Sequence, residues 1–151
     1  MDFDSKLEAL GLRLPDAPKP VGLYHPFVVS GKLAFLSGQI SRDADGKILA
    51  GKVGKELTLE EGQVAARLAA LNALSIMKYL IGIEKISRVV KMTGFVQSAP
   101  DFYEIPAVVN GASELIAQVM GPAGEHARSA VGMSSLPLNA AVEIELVLEL
   151  K

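Results

Sequence analysis

The chain has 151 residues, of which 15 are basic and 17 acidic, and a formal net charge of −2. This is the length of one ordinary domain, and the balanced charge argues against binding of nucleic acid or a membrane surface through a basic patch. The absence of cysteine excludes disulfides, thiolate metal sites and a cysteine nucleophile.

The composition is apolar, with 50% hydrophobic residues, 5% aromatic residues and a mean hydropathy of +0.32. Because monomers rarely expose large apolar patches, we expect part of the aliphatic surface to be buried between subunits. The acidic N-terminus lacks the apolar run of a secretory leader, and Arg67 and Lys78 interrupt the most apolar segment, 64–83. We therefore expect a cytoplasmic protein that does not cross a membrane. The two histidines, His25 and His126, argue against a histidine-rich metal site.

The first part of the chain predicts a short helix, a connector and a β-hairpin. Leucines spaced along residues 4–13 are typical of an amphipathic helix, and the prolines of 15–20 end it. Apolar runs at 27–29 and 33–36 flank a short polar gap that contains Gly31. This pattern is typical of two strands joined by a tight turn.

A loop and a long helix are predicted next. The glycines and aspartates of residues 41–57 favour a loop. Thr58 and Glu61 have the spacing of a capping box, in which each side chain bonds the backbone amide of the other residue. The helix that begins there should continue to about Leu80, with Gly82 as its C-terminal cap.

The next pair of elements is a strand followed by a second helix. Residues 86–96 are β-branched and partly alternating, which predicts a strand. Asp101 and Glu104 repeat the capping-box spacing and predict a helix that continues to about Met120. Pro106 fits poorly in the first turns of a helix that begins at Asp101.

Two further strands are predicted over 127–134 and 141–150. In the last strand the even positions from 142 to 150 are apolar, so they should face the helices, whereas Glu143 should face the opposite side. The resulting order is β-β-α-β-α-β-β. We predict an α+β two-layer domain, in which one mixed β-sheet carries two helices packed on one face.

Three local patterns could carry chemistry, but each lacks the context that the chemistry needs. Residues 46–52 resemble a phosphate-binding loop, yet Val53 stands where a magnesium-binding Ser or Thr is required, so a surface loop is favoured. Neither of the two serine–histidine combinations lies in a nucleophile elbow. These combinations are Ser37 with His25 and Ser129 with His126.

Two charged residues allow a structural and a functional interpretation. Arg128 leads an otherwise apolar strand, and it is either a charge at a strand end or a planar fork for a carboxylate. Glu143 belongs either to a solvated outer face, together with Glu145 and Glu149, or to a site. Composition alone favours the surface interpretation for both residues.

Three separated segments carry a family resemblance. They are Gly22-Leu23-Tyr24, then Leu36-Ser37-Gly38-Gln39-Ile40, and then Ala127-Arg128-Ser129-Ala130-Val131 with Leu136-Pro137 and Val142-Glu143-Ile144-Glu145. Residues 90–96 and 101–102 fit the same pattern. The sequence thereby resembles the Rid/YjgF family of reactive-intermediate (enamine and imine) deaminases, also labelled L-PSP endoribonuclease-like. The resemblance covers about residues 20–151.

The resemblance implies a chorismate-mutase-like fold, assembled as a homotrimer with active sites in the clefts between subunits. It implies one domain over residues 19–151, preceded by an N-terminal extension over 1–18. Two departures indicate a divergent subgroup. Ala130 stands where many members have cysteine, and Leu23 stands where proline is usual.

The reaction that the resemblance implies is the hydrolysis of 2-imino or enamine acids to 2-oxo acids and ammonia, with no cofactor. Arg128 would bind the substrate carboxylate, and Glu143 would position or activate the attacking water. Tyr24 and Ser37 would line the pocket, and Asn110 would lie near the cleft if a one-turn insertion is placed around Pro106. The expected partners are a small 2-imino or 2-oxo acid and further copies of the chain.

Two other functions remain open at this point. The clefts of such a trimer could capture small carboxylic acids without turnover, as a non-catalytic binding module. The endoribonuclease label of the family is a weaker alternative, because the net charge is −2 and no basic patch interleaves with aromatic residues. Ammonia release from an imino acid distinguishes the deaminase from the non-catalytic binding module.

Overall fold

The computed structural model describes residues 1–20 and 22–151, and its sheet carries two long helices on one face. The strands are β1 (Phe27–Ser30), β2 (Leu33–Leu36), β3 (Gln39–Ile40), β4 (Ile86–Gln97), β5 (Ala127–Met133) and β6 (Val142–Leu150). The helices are α1 (Phe3–Ala9), α2 (Leu59–Ile76) and α3 (Ile105–Met120). The sheet order is β1-β2-β6-β4-β5, with β3 beside β6 and with β4 and β5 parallel. The predicted α+β class and mixed sheet are confirmed.

The N-terminal segment is packed onto the domain. Asp2 caps α1 by accepting a hydrogen bond from the Ser5 amide at 2.8 Å, and Leu7 is buried in the core beside α3. Ser75 Oγ on α2 donates to the carbonyl oxygen of Pro15 at 2.7 Å, which holds the connector. The short helix is confirmed, although it ends at Ala9. The division of the chain at residue 18 stays a prediction.

The predicted hairpin and loop are both present. Ser30 pairs with Leu33, and Gly31 adopts a φ of 61° in the two-residue turn, a conformation that favours glycine. Strand β3 was not predicted, because its two residues become a strand only by pairing with β6. The glycine-rich residues 46–52 lie in the loop, and α2 begins only at Leu59, as the surface-loop interpretation requires.

Helix α2 begins at the predicted capping box. The Thr58 hydroxyl accepts from the Glu61 amide, and the Glu61 carboxylate accepts from the Thr58 amide. The helix widens into a π turn over Met77–Ile81 and ends at Gly82. By length and composition the segment Leu59–Ile81 could cross a membrane, but 61% of its most apolar window is buried inside the domain. Its alanines pack against the sheet and α3, which is the position of a core helix.

The predicted start of α3 at Asp101 is wrong. The helix begins at Ile105, and Pro106 lies in its first turn. In a helix starting at residue 102, the amide of residue 106 would have to bond the carbonyl oxygen of Phe102, and proline has no N–H to donate. The amide of Phe102 instead donates to the carbonyl oxygen of Ala99 at 3.1 Å and closes a turn.

Strand β6 divides its side chains between the two faces as predicted. The even positions from Val142 to Leu148 are buried against the helices. Glu143, Glu145 and Val147 face the side that no helix of the described residues covers. This open face is partly apolar, with Val28, Phe35 and Val131 each at least 41% exposed.

Candidate functional site

Glu143 projects from the open face into a cleft of about 500 Å³ that Tyr24 and Gly38 also line. Burial raises the pKa of the Glu143 carboxyl above its ordinary value, and the neighbouring Glu145 carboxylate raises it further. A carboxylate with a raised pKa accepts a proton more readily at neutral pH. Glu143 therefore has the properties of a proton acceptor at the wall of a cleft.

Gly38 makes room for this carboxylate. A Cβ atom at position 38 would lie 2.5 Å from Glu143 Oε1 and 2.9 Å from Glu143 Cδ, closer than side chains approach one another. The preceding Ser37 holds the segment in place, since its Oγ donates to the carbonyl oxygen of His25 at 2.6 Å and its amide donates to the carbonyl oxygen of Pro26 at 2.8 Å. The pocket-lining role of Ser37 stays a prediction.

A helix side chain fixes one wall of the cleft. Asn72 Nδ2 on α2 donates to the carbonyl oxygens of Leu68 at 3.0 Å and Arg42 at 2.8 Å, and both Asn72 and Arg42 line the cleft. Lys19 of the N-terminal connector lines it as well. The residues that line the cleft therefore include two acidic ones, Asp16 and Glu143, and two basic ones, Lys19 and Arg42.

Another part of the cleft lining is a strained loop held by a buried amide. Leu138 and Asn139 have φ values of 56° and 59°, in the left-handed region that is costly for residues with a Cβ. Gln97 is 2% exposed, and its Nε2 donates to Asn139 Oδ1 at 2.7 Å while its Oε1 accepts from the Leu136 amide at 2.8 Å. These bonds hold Leu138 at the cleft despite the strain.

Arg128 belongs to a second cluster, between β5 and α3. Its Nη1 donates to Asn110 Oδ1 at 2.8 Å and to Ser113 Oγ at 3.1 Å, and its Nη2 lies 3.4 Å from the carbonyl oxygen of Pro106. The structure thus brings together two predicted site residues, Arg128 and Asn110. Three acceptors on one helix hold the guanidinium, which is more than a charge at a strand end requires.

His126 joins this cluster rather than pairing with Ser129. Its Nε2 lies 3.0 Å from Ser113 Oγ and its Nδ1 lies 2.6 Å from the carbonyl oxygen of Gly124. Ser129 pairs with Thr93 in the sheet and lies on the other face. The neighbourhood of Ser113, His126 and Arg128 forms an open depression of about 340 Å³.

The two clusters lie on opposite faces of one chain. Arg128 is paired with Met92, which faces the helices, whereas Glu143 is paired with Phe95 three residues further along β4. Residues three apart in a strand point to opposite faces, and β4 separates β5 from β6. A small substrate therefore cannot touch Arg128 and Glu143 of the same chain at once.

Sequence reasoning missed Ser113, His126 and Gln97 as parts of these clusters. A signal existed for the first two: Ser113 follows Asn110 by one helical turn, and His126 precedes Arg128 by two extended residues, so each shares a face with a predicted site residue. The helix boundary and the strand pairing were needed to use that signal. Within residues 1–20 and 22–151, no group of three His, Asp or Glu side chains is placed to hold a metal ion.

The chain as a whole is similar to known proteins. A family model described as "YjgF/chorismate_mutase-like, putative endoribonuclease" matches residues 4–150. The chain belongs to this family. The Rid/YjgF resemblance and the chorismate-mutase-like fold are thereby confirmed.

Three relatives show how close the family connection is. Protein TCP17 of Trypanosoma cruzi is 43% identical over 148 residues, which cover 97% of this chain and 92% of that protein. The 2-iminobutanoate/2-iminopropanoate deaminase of Dermatophagoides farinae is 33% identical over 134 residues, which cover 88% of this chain and 90% of that protein. The crystal structure of the protein Atu1372 from Agrobacterium tumefaciens is 45% identical to this chain and superposes on it with a TM-score of 0.91. The alignment covers 99% of this chain and 92% of the Atu1372 chain.

Proposed function

We propose that the chain hydrolyses small 2-imino acids, and their enamine tautomers, to 2-oxo acids and ammonia. The observation that carries this proposal is the partly buried Glu143 carboxylate, whose pKa is raised in a cleft shaped by Gly38. The guanidinium of Arg128, held by α3, supplies a group suited to a substrate carboxylate. A relative that is 33% identical over 88% of this chain bears the name of a 2-iminobutanoate/2-iminopropanoate deaminase, which supports the same reaction.

The proposed chemistry uses an already electrophilic substrate. Water oxygen attacks C2 of the iminium, the carbon–nitrogen double bond becomes single, and Glu143 accepts the water proton. Glu143 then returns this proton to the amine nitrogen of the carbinolamine. The carbon–nitrogen bond breaks, the hydroxyl becomes the carbonyl of the 2-oxo acid, and nitrogen leaves as ammonium with the hydroxyl proton. Proton transfer of this kind contributes about 10²–10⁴-fold to a rate.

A complete site of this kind needs two copies of the chain. Arg128 and Glu143 lie on opposite faces of one sheet, so the proposal joins Arg128 of one copy to Glu143 of another across a subunit boundary. The partly apolar open face, with Phe35 at 45% and Val131 at 41% exposure, is suited to burial between copies. The homotrimer that the family resemblance implies would provide three such sites.

The proposal is tested by generating an imino acid in the presence of the protein. An amino-acid oxidase in excess converts 2-aminobutanoate to the imine, catalase removes peroxide, and ammonia release is followed. We expect the chain to accelerate release over the spontaneous rate, and Arg128→Ala to abolish the acceleration. A rate equal to the spontaneous rate, together with calorimetric binding of 2-oxobutanoate, would identify a non-catalytic binding module instead.

A further inference from the structure

A continuous chain of hydrogen bonds leads from a backbone carbonyl to Arg128. The carbonyl oxygen of Gly124 lies 2.6 Å from His126 Nδ1, His126 Nε2 lies 3.0 Å from Ser113 Oγ, and Arg128 Nη1 donates to Ser113 Oγ at 3.1 Å. A carbonyl oxygen only accepts, so Nδ1 carries a proton, and when the imidazole is neutral Nε2 is an acceptor. The Ser113 hydroxyl therefore donates to His126 and accepts from Arg128. Each bond in the chain has one direction.

These bonds use one side of the guanidinium. Nη1 donates both of its protons, one to Ser113 Oγ and one to Asn110 Oδ1 at 2.8 Å, while Nη2 has a single long contact of 3.4 Å to the carbonyl oxygen of Pro106. Among residues 1–20 and 22–151, no acceptor is bonded to Nε. The Nε–H and the adjacent Nη2–H point the same way, and a carboxylate accepts such a parallel pair with both oxygens.

We propose that Ser113 and His126 are positioning residues for Arg128. They lock the Nη1 side of the guanidinium so that its Nε–Nη2 edge is presented to the carboxylate of a 2-imino or 2-oxo acid. The identity of this ligand rests on the proposed function, whereas the locking rests on the hydrogen bonds alone. His126 acts indirectly, because it orients the Ser113 hydroxyl that Arg128 contacts.

The surroundings of Ser113 favour this role over that of a nucleophile. Its Oγ has three neighbours, Arg128 Nη1, His126 Nε2 and Met92 Sδ at 3.6 Å, and it is part-buried against β4. The thioether is a weak acceptor, so the hydroxyl proton goes to the imidazole nitrogen. With one lone pair already bonded to a cation, the oxygen is a link in the chain and has little capacity to attack a substrate.

The affinity test uses calorimetry with 2-oxobutanoate as the probe. We expect Ser113→Ala and His126→Ala to weaken binding by about 10-fold each, because a misplaced fork loses part of its bidentate contact. Ser113→Thr, which keeps the hydroxyl, should restore most of the affinity. Gln118→Ala, an exposed position on the same helix, is the matched control and should bind as the wild type does. In an Arg128→Ala background, Ser113→Ala should have no further effect.

A second readout does not depend on any ligand. The chain has two histidines, so comparison with His25→Gln assigns the nitrogen-15 signals of His126. At about pH 8, above the ordinary titration range of imidazole, we expect a protonated Nδ1 and a bare Nε2. Slow rotation of the Arg128 guanidinium should give separate Nη signals that merge in Ser113→Ala.

The outcomes separate this proposal from the deaminase proposal. If the wild type binds 2-oxobutanoate, Ser113→Ala weakens that binding and no imine is hydrolysed, the deaminase proposal is wrong and the positioning role stands. Wild-type affinity in both Ser113→Ala and His126→Ala, or a protonated Nε2, overturns the positioning role whatever the activity. Failure of the wild type to bind 2-oxobutanoate overturns the positioning role, whereas the deaminase proposal is decided by ammonia release alone.

Discussion

Replacing Gly38 by alanine places a methyl group where the Glu143 carboxylate now lies. The added Cβ would be 2.5 Å from Glu143 Oε1, and an ordinary contact begins at 3.4 Å, so the carboxylate has to retreat by about 0.9 Å. A displacement of this size at a reacting group costs on the order of 100-fold in rate. We therefore expect Gly38→Ala to lower imine hydrolysis by about 100-fold.

The same substitution should leave the free energy of unfolding nearly unchanged. The φ of Gly38 is not in the left-handed region, so alanine reduces the entropy of the unfolded chain and stabilises by about 0.4–1 kcal/mol. Moving the flexible Glu143 side chain away from its rotamer costs about 0.5–1.5 kcal/mol, which offsets that gain. Activity and stability should thus change independently at this position.

The assay pairs hydrolysis rates with denaturant unfolding, and Gly31→Ala is the matched control. A Cβ at Gly31 meets no atom within 4 Å, but its φ is 61°, so that variant should lose about 1–2 kcal/mol and retain the wild-type rate. In a Glu143→Gln background, Gly38→Ala should cause no further loss of rate. A wild-type rate for Gly38→Ala alone would refute the assignment of Glu143 as the proton acceptor.

Four further outcomes are expected. Glu143→Gln should lower hydrolysis by about 10- to 1000-fold while 2-oxobutanoate still binds in calorimetry. Because the pKa of Glu143 is raised in the folded state, its contribution to stability is present at low pH and is lost as the pH rises through that pKa. At neutral pH, Glu143→Gln should therefore unfold at a higher denaturant concentration than the wild type. At about pH 3 the two proteins should unfold at the same concentration. Arg128→Lys should bind 2-oxobutanoate nearly as poorly as Arg128→Ala, since an ammonium has no planar fork, and wild-type affinity in either variant would contradict this. Light scattering should give roughly 48 kDa, three chains of 16.0 kDa, and a stable monomer would exclude a site shared between copies.

The elements that the sequence predicts well are those whose signals are local. Thr58 and Glu61 bond each other's backbone across one turn, so their spacing alone marks the start of α2. The alternation around Glu143 predicts which side of β6 faces the helices. The start of α3 could have been predicted only from a residue that excludes a helix, because Pro106 is incompatible with a helix that begins at Asp101.

The contacts that build the two clusters are long-range, and sequence spacing does not contain them. Gly38 meets Glu143 because β3 pairs with β6, more than 100 residues away in the chain. Ser113 meets Arg128 because α3 packs over β5. Family resemblance named Arg128, Asn110 and Glu143 without showing that the first two lie together and the third on the opposite face. That separation is visible only once the strand register is known.

The separation of Arg128 from Glu143 makes a prediction about mixtures of inactive variants. If a site joins Arg128 of one copy to Glu143 of the next, Arg128→Ala and Glu143→Gln chains can complement each other. In trimers assembled from equal amounts of the two variants, the chain that supplies Arg128 to a site has an intact Arg128 in half of the cases. The neighbouring chain that supplies Glu143 has an intact Glu143 in half of the cases, so about a quarter of the sites are complete. Unfolding the two variants together and refolding them should therefore restore about a quarter of the wild-type activity, whereas simple mixing without exchange of subunits should restore little. If both groups acted from the same copy, every copy would lack one of them, and refolded mixtures with confirmed subunit exchange would stay as inactive as the separate variants.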